Sequence, residues 1–167
     1  MEMASATSFI KAMSSAVTGV SIVSTDGPGG KFGVTVSAVS SISAEPPLVM
    51  ACINRKSPAL EAIATNGHFC VNLLNAQQTH LSDNFSGRPG ALNPYEFNPV
   101  FWDETGAAPV LKDASANFVC SLSNSYDAGT HRLILGLVQK ATHTDNMPLA
   151  YAQRAYHEPK LINSSNS

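Results

Sequence analysis

Residues 118–142, FVCSLSNSYDAGTHRLILGLVQKAT, decide the fold. Two long apolar segments, 118–126 and 130–142, flank Asp127-Ala128-Gly129 and are typical of β-strands. Glycine tolerates the positive backbone angles of a tight turn, so this connection predicts a three-residue hairpin loop. The stretch therefore predicts a long antiparallel pair of strands.

Shorter strands are predicted on the N-terminal side of this pair. Residues 20–22 and 34–38 alternate apolar and polar side chains around the turn at 27–30, which indicates a hairpin with one polar and one apolar face. Further strands are expected at 48–54 and 69–73. Parallel sheets would need a helix between most strands, so the pattern favours an antiparallel barrel or sandwich.

Few helices are expected. Apolar residues at three- and four-residue spacing predict a short amphipathic helix over 8–17. A second helix should start at Ser57, with Pro58 in its first turn, and should end near Asn66-Gly67. One or two helical turns are expected within 77–85, and residues 87–109 read as an ordered loop.

Composition limits the classes of function. The 167 residues are 44% hydrophobic and 13% charged with a net charge of −2, so nucleic acid and membranes are not expected partners. No secretory leader is visible, and three widely spaced cysteines suit a reducing cytoplasm. Scarce charge also suggests that a second subunit covers part of the surface. We expect one domain over 1–160 and a disordered polar tail over 161–167.

Two stretches are candidate binding segments. Hydroxyl side chains recur from Thr35 to Ser43 along what we expect to be one strand, and they form either a solvated strand face or a groove for a polar aromatic ligand. Before the helix at Ser57, Arg55 or Lys56 could help free backbone N–H groups bind a phosphate, or could simply be solvated charges beside an ordinary helix cap. Together they would suit a phosphorylated heteroaromatic cofactor.

Other chemistry has weaker support. His131 follows Gly129-Thr130 at a strand start, where a lone histidine is more often structural than catalytic. The glycines from Gly27 to Gly33 do not form a dinucleotide fingerprint, and the cysteine and histidine spacing predicts no metal site. The three cysteines lie in apolar strand contexts and are expected to be buried thiols.

Eight ordered motifs between residues 8 and 157 resemble one protein family. They are Phe9-x-x-Ala12-Met13, Thr18-Gly19-Val20-x-Ile22-Val23, Thr35-x-Ser37-Ala38-x-Ser40-Ser41-x-Ser43 with Pro46-Pro47-Leu48, Cys52-x-Asn54-x-x-Ser57, Phe69-x-Val71-Asn72, Phe85-Ser86-Gly87, Gly129-Thr130-His131 with Gly136-x-Val138, and Pro148-Leu149-x-Tyr151-x-x-Arg154-x-Tyr156. This order resembles the short-chain flavin reductases of two-component flavin monooxygenases. The resemblance implies a mainly β, FMN-binding split β-barrel of antiparallel, Greek-key type with a few short helices.

The resemblance also implies a role for particular residues. The cofactor-binding residues would be Thr35, Ser37, Ala38, Ser40 and Ser41 beside the flavin ring, Cys52, Asn54, Lys56 and Ser57 at the ribityl phosphate, Phe85 at the border and Tyr156 closing the pocket. The catalytic residue would be His131, facing the nicotinamide. The chemistry itself belongs to the cofactors, so the protein's main contribution is position.

The implied activity is an NAD(P)H:flavin oxidoreductase, a homodimer that supplies reduced FMN or FAD to a separate monooxygenase and takes its hydride from NADH or NADPH. One alternative is a flavin- or haem-binding split-barrel carrier or sensor without turnover. Another is an enzyme like pyridoxamine phosphate oxidase, which would use several basic residues for two phosphates. Ten scattered lysines and arginines count against that alternative.

Overall fold

The computed structural model describes residues 3–91 and 93–160. The described chain is mainly antiparallel β-structure with three helices, as expected. The helices are α1 Ala6–Met13, α2 Pro58–Asn66 and α3 Thr79–Ser86. The strands are β1 Thr18–Gly19, β2 Ser21–Thr25, β3 Phe32–Val36, β4 Val39–Ala44, β5 Pro47–Asn54, β6 His68–Leu73, β7 Trp102–Asp103, β8 Val110–Leu111, β9 Ala116–Ala128, β10 His131–His143, β11 Ala150–Ala152 and β12 Ala155–His157.

A seven-stranded sheet forms the body of the molecule, in the order β3-β2-β6-β9-β10-β5-β4. Its edge strands β3 and β4 are separated in sequence by Ser37 and Ala38 alone. Three extended residue steps span at most about 11 Å, so the sheet curls until its two edges meet. The Cys52 amide donates to the Ala38 carbonyl at 2.9 Å and fixes this junction against β5. The arrangement fits the expected split barrel.

The hydroxyl-rich segment does not form one strand. Thr35 lies in β3, which pairs with β2, whereas Ser40 and Ser41 lie in β4, which pairs with β5. The single strand expected over this segment was therefore wrong. At Ser37-Ala38 the chain crosses from one edge of the sheet to the other. Residue propensities do not predict this crossing, because it results from strand pairing between residues far apart in sequence.

The β2–β3 hairpin forms around the predicted turn, but its polar face is not solvated. All five residues of β2 are buried, including three hydroxyl side chains. Ser24 Oγ donates to the Pro109 carbonyl at 2.5 Å, and Thr25 Oγ1 donates to the His68 carbonyl at 2.7 Å. These bonds satisfy polar groups that would otherwise be costly to bury.

The β9–β10 pair is confirmed, with a shorter connection than predicted. His131 pairs directly with Ala128, so the loop is Gly129-Thr130 rather than three residues. Gly129 has a φ of 58°, a left-handed conformation that glycine adopts without a steric penalty. Residues 123–130 are exposed, whereas β10 pairs with β5 from His131 onward, so at this end the outer edge of β9 has no strand beside it among the described residues.

Helices α2 and α3 follow their local signals, whereas α1 ends at Met13, four residues before its predicted end at residue 17. Ser5 caps α1 by accepting from the Ser8 amide at 3.2 Å, and none of the residues of α1 is buried among those described. Ser57 is the N-cap of α2, which ends at Gly67 with a φ of 74°. The turns expected within 77–85 are α3.

The segment 87–109 is mostly loop and contains β7. It brings Phe97 and Trp102 against the buried ring of Phe85, with ring centroids 4.9 and 5.5 Å away. This aromatic cluster packs the loop beneath α3. No described helix is long and apolar enough to cross a membrane. The expected disordered tail over 161–167 lies outside the described residues.

Candidate active site

A cavity of about 640 Å³ lies between β3, the start of α2 and the C-terminal end of α3. This volume is within the roughly 300–1,000 Å³ typical of small-molecule sites. Its lining residues are Lys31, Phe32, Gly33, Val34, Thr35, Asn54, Lys56, Ser57, Pro58, Phe85, Ser86 and Tyr95. Thr35 of the first candidate segment therefore meets the turn before α2 at one cavity, which we call the main cavity.

Ser57 and Lys56 lie at one end of the main cavity, which we call the anion end because its groups would suit an anion. Ser57 is the N-cap of α2, but its hydroxyl makes no capping bond within the described residues. The free backbone N–H groups expected here are few, since Pro58 has none and the Leu60 N–H donates to the Ser57 carbonyl at 3.1 Å, but the helix dipole still favours negative charge at this end. Lys56 adds an ammonium group, and its backbone N–H donates to Asn54 Oδ1 at 2.9 Å, which shapes the turn.

The neighbouring cation, Arg55, lies against Asp127 and does not line the main cavity. Arg55 has a guanidinium nitrogen 3.7 Å from Asp127 Oδ2, and its backbone N–H donates to the Thr130 carbonyl at 3.0 Å. Lys56 has no carboxylate within ion-pair distance among residues 3–91 and 93–160. Of the two cations considered from sequence, Lys56 is therefore the one that lines the main cavity.

A smaller cavity of about 190 Å³ adjoins the main cavity, and Thr35 and Ser86 line both. We call it the side cavity; Ser37, Arg88 and Tyr156 also line it. The Thr35 hydroxyl donates to the Ser82 carbonyl at 2.8 Å, so its proton is committed and it offers a ligand an acceptor.

Tyr156 joins the C-terminal strand β12 to α3 at the side cavity. Its hydroxyl donates to Asp83 Oδ1 at 2.7 Å and lies 2.9 Å from Ser82 Oγ. Arg88 also donates to Asp83 Oδ1, at 3.1 Å. Burial raises the pKa of the Tyr156 phenol above its usual value, and the Asp83 carboxylate raises that pKa further. Tyr156 is therefore a neutral donor at physiological pH.

Phe85 forms an apolar wall of the main cavity rather than an exposed border. The ring is fully buried by the aromatic cluster on one side and lies against Gly33 on the other. A Cβ on Gly33 would lie 2.6 Å from two atoms of the Phe85 ring, so this close approach requires glycine. Phe85 and Gly33 therefore form an apolar part of the cavity wall.

His131 begins β10 next to the anion end. It is half-buried, it pairs in register with Asn54 of β5, and its Nδ1 lies 2.9 Å from Thr130 Oγ1. Residues paired across an antiparallel ladder have Cα atoms about 4.5–5.5 Å apart. His131 thus lies beside a lining residue but does not itself line either cavity.

Besides His131, four expected cofactor-binding residues line neither cavity: Ala38, Ser40, Ser41 and Cys52. Ser40 and Ser41 are exposed on the edge strand β4, opposite Met50 and Val49. The Cys52 thiol is half-buried, and burial raises its pKa, which makes it a poor nucleophile.

Sequence reasoning missed several lining residues, notably Lys31, Gly33 and Tyr95. Tyr95 has a φ of 60°, and its amide donates to the Asn84 carbonyl at 3.0 Å, so the loop folds back onto α3. No local motif signals this contact. No group of three or more potential metal ligands occurs within the described chain.

Comparison with known proteins gives a consistent result. Residues 13–160 match the model of the flavin reductase like domain family. An FMN reductase (NADH) RutF from Bradyrhizobium diazoefficiens is 39% identical over 142 residues, which cover 83% of this chain and 77% of the relative. The RutF protein of Pseudomonas syringae pv. syringae is 36% identical over 150 residues, covering 89% and 84%.

Among solved structures, the flavin reductase PheA2 superposes with a TM-score of 0.85 at 33% identity, covering 95% of this chain and 100% of PheA2. The styrene monooxygenase flavin reductase from Pseudomonas putida S12 gives a TM-score of 0.79 at 27% identity, covering 92% and 98%. The chain belongs to the flavin reductase family.

Proposed function

We propose that this protein uses NADH to reduce FMN or FAD and hands the reduced flavin to a separate monooxygenase. The observation that carries the proposal is the main cavity, where Lys56 lies at one end with the Ser57 hydroxyl, which makes no capping bond among the described residues, and apolar Phe85 and Gly33 border the same space. A cation, a hydroxyl and a helix N-terminus fit a phosphate, and the apolar side fits an aromatic ring. The residues present therefore fit a flavin mononucleotide.

A bound flavin supplies the redox chemistry by accepting a hydride from the nicotinamide ring. The protein's own residues bind the flavin and orient it. Lys56 and Ser57 hold the phosphate, and Asn54 keeps their turn in shape through its 2.9 Å bond with the Lys56 amide. Phe85 and Gly33 exclude water from one face, since both are buried there.

The polar edge of the ring would meet β3 and the Ser37-Ala38 junction. Thr35 offers an acceptor because its proton is donated to Ser82, whereas Ser37 is exposed and lines the side cavity. Tyr156 is held by Asp83 and closes this end of the groove. Fixed donors and acceptors of this kind stabilise developing charge without reorganising during the reaction.

We assign His131 to orienting the nicotinamide. It stands beside Asn54 at the edge of the main cavity, and Thr130 holds one of its ring nitrogens. The relatives named FMN reductase (NADH) support NADH as the donor. The match to a styrene monooxygenase reductase supports a separate oxygenase partner.

We further propose that the protein is a cytoplasmic homodimer. Three free cysteines support a reducing compartment. Helix α1 exposes Phe9, Ile10 and Met13 by 60%, 51% and 51%, a cluster that a second copy would cover. Light scattering at micromolar concentration should give twice the mass of one chain. A monomer that still binds flavin would refute the dimer.

The decisive experiment is anaerobic mixing of the protein, FMN and NADH, with the flavin absorbance followed near its visible maximum. Bleaching at a rate proportional to protein concentration is expected. A carrier or sensor would bind FMN without speeding its bleaching, and that result would refute the reductase. Parallel runs with NADPH and with FAD establish the preferred donor and flavin.

A further inference from the structure

The exposed end of the β9–β10 hairpin is tied to the turn before α2 by one carboxylate. Asp127 Oδ1 accepts from Arg132 Nε at 2.5 Å, and Asp127 Oδ2 lies 3.7 Å from a guanidinium nitrogen of Arg55. Asp127 and Arg132 are also directly paired across the hairpin. Hydrogen bonding from Arg132, followed by the charges of Arg132 and Arg55, lowers the pKa of Asp127, so the carboxylate is ionised at neutral pH.

These contacts join two parts of the proposed site. Arg55 belongs to the turn that presents Asn54, Lys56 and Ser57 to the main cavity, and Arg132 follows His131 directly. The bond from the Arg55 amide to the Thr130 carbonyl, 3.0 Å long, lies at the same junction. Asp127 itself lines neither cavity.

We propose that Asp127 is a positioning residue: by bridging Arg55 and Arg132 it fixes His131 relative to the anion end of the main cavity. This inference rests on the proposed function, because it assigns His131 to the nicotinamide and Lys56 to the flavin phosphate. Small displacements of positioned groups can slow a reaction strongly. The bridge also keeps Arg55 turned away from the cavity.

We expect the Asp127 bridge to affect the position of residues 128–132 more than the free energy of unfolding. The side chains of Asp127, Arg55 and Arg132 are 45%, 51% and 34% exposed, and exposed ion pairs add little to folding stability. Their removal should therefore change the position of the hairpin end while the fold stays intact. Residues 128–132 are where the effect should be measured.

The test compares Asp127→Asn with the conservative variant Asp127→Glu. Asp103→Asn serves as a matched control, because Asp103 is an exposed carboxylate bonded locally to Thr105. Anaerobic rapid mixing with NADH gives the limiting rate of flavin reduction per bound FMN, and hydrogen exchange reports the amides of residues 128–132. We expect Asp127→Asn to lower the limiting rate about two- to fivefold and to speed exchange by a similar factor, the range that exposed ion pairs give.

Asp127→Glu should keep most of the parental reduction rate and most of the parental exchange protection. Asp103→Asn should match the parent in both measurements. Combining Asp127→Asn with Arg132→Gln should cost no more than the larger single loss, because both remove one bridge. A parental limiting rate together with parental exchange at residues 128–132 in Asp127→Asn would overturn the inference. A parent that fails to reduce flavin would refute the proposed function instead, and the exchange measurement would still decide whether Asp127 fixes the hairpin end.

Discussion

The ring of Phe85 lies directly against Gly33, so that a Cβ on Gly33 would come within 2.6 Å of Phe85 Cδ1 and Cε1. Phe97 would be 3.0 Å from the same Cβ. Phe85 cannot retreat, since it is fully buried and packed against Trp102. This contact between β3 and α3 forms the apolar side of the main cavity.

Gly33→Ala should therefore destabilise the protein. Overpacking a tight core costs about 1–3 kcal/mol, and displacement of the Phe85 ring should also weaken FMN binding. Urea denaturation and an FMN titration measure the two effects. Gly19→Ala is the control, because a Cβ there meets no atom within 4 Å and should leave both values unchanged. Equal behaviour of the two variants would contradict the close contact.

The double variant Lys56→Ala/Ser57→Ala should weaken FMN binding much more than riboflavin binding. Both residues lie at the anion end, and riboflavin lacks the phosphate. Losing charge-assisted hydrogen bonds should cost about 1.5–3 kcal/mol, a tenfold or larger rise in the FMN dissociation constant. Lys140→Ala, which removes a cation lining neither cavity, should change neither affinity. Equal losses for FMN and riboflavin would place the phosphate elsewhere.

His131→Ala should slow flavin reduction by NADH and leave FMN affinity largely unchanged. The side chain stands beside Asn54 but lines neither cavity, so flavin contacts are preserved. Rapid mixing at saturating FMN, over a range of NADH concentrations, gives both the limiting rate and the NADH saturation. His143→Ala, at the exposed far end of the same strand, is the matched control. If His131→Ala keeps the parental rate at every NADH concentration and only lowers the melting temperature, the residue is structural.

Buried thiols should make the folded state less stable in alkali. Burial raises the pKa of Cys120 to about 12, and burial also raises the pKa of Cys70. The unfolded chain releases these protons near pH 9, so it binds fewer protons than the folded chain above that pH. The free energy of unfolding should therefore hold below pH 9 and fall as pH rises from 9 towards 12.

Urea denaturation between pH 7 and 10.5 tests this dependence. Cys120→Ala should flatten the alkaline decline, whereas Cys52→Ala should keep most of it because the Cys52 thiol is only half-buried. A thiol reagent at pH 8 should label Cys52 before the other two. Parallel pH profiles for the parent and Cys120→Ala would show that ionisation of this thiol does not contribute.

The sequence by itself determined the local elements. Alternating apolar residues specify strands, and the Ser57-Pro58 and Asn66-Gly67 pairs fix the two ends of α2 through backbone preferences that act within one turn. The same kind of signal located the β9–β10 hairpin to within one loop residue. The family resemblance supplied the flavin and the expected roles of its residues.

The tertiary structure decided which residues share a cavity. Only the curled sheet brings Thr35 to the turn before α2, directs Lys56 rather than Arg55 to the cavity, and leaves Ser40 and Ser41 on an outer edge. Loop 87–109 adds Tyr95 from a segment without a periodic pattern. These neighbours are far apart in sequence, so their proximity comes from strand pairing and burial over the whole chain, which local backbone preferences do not encode.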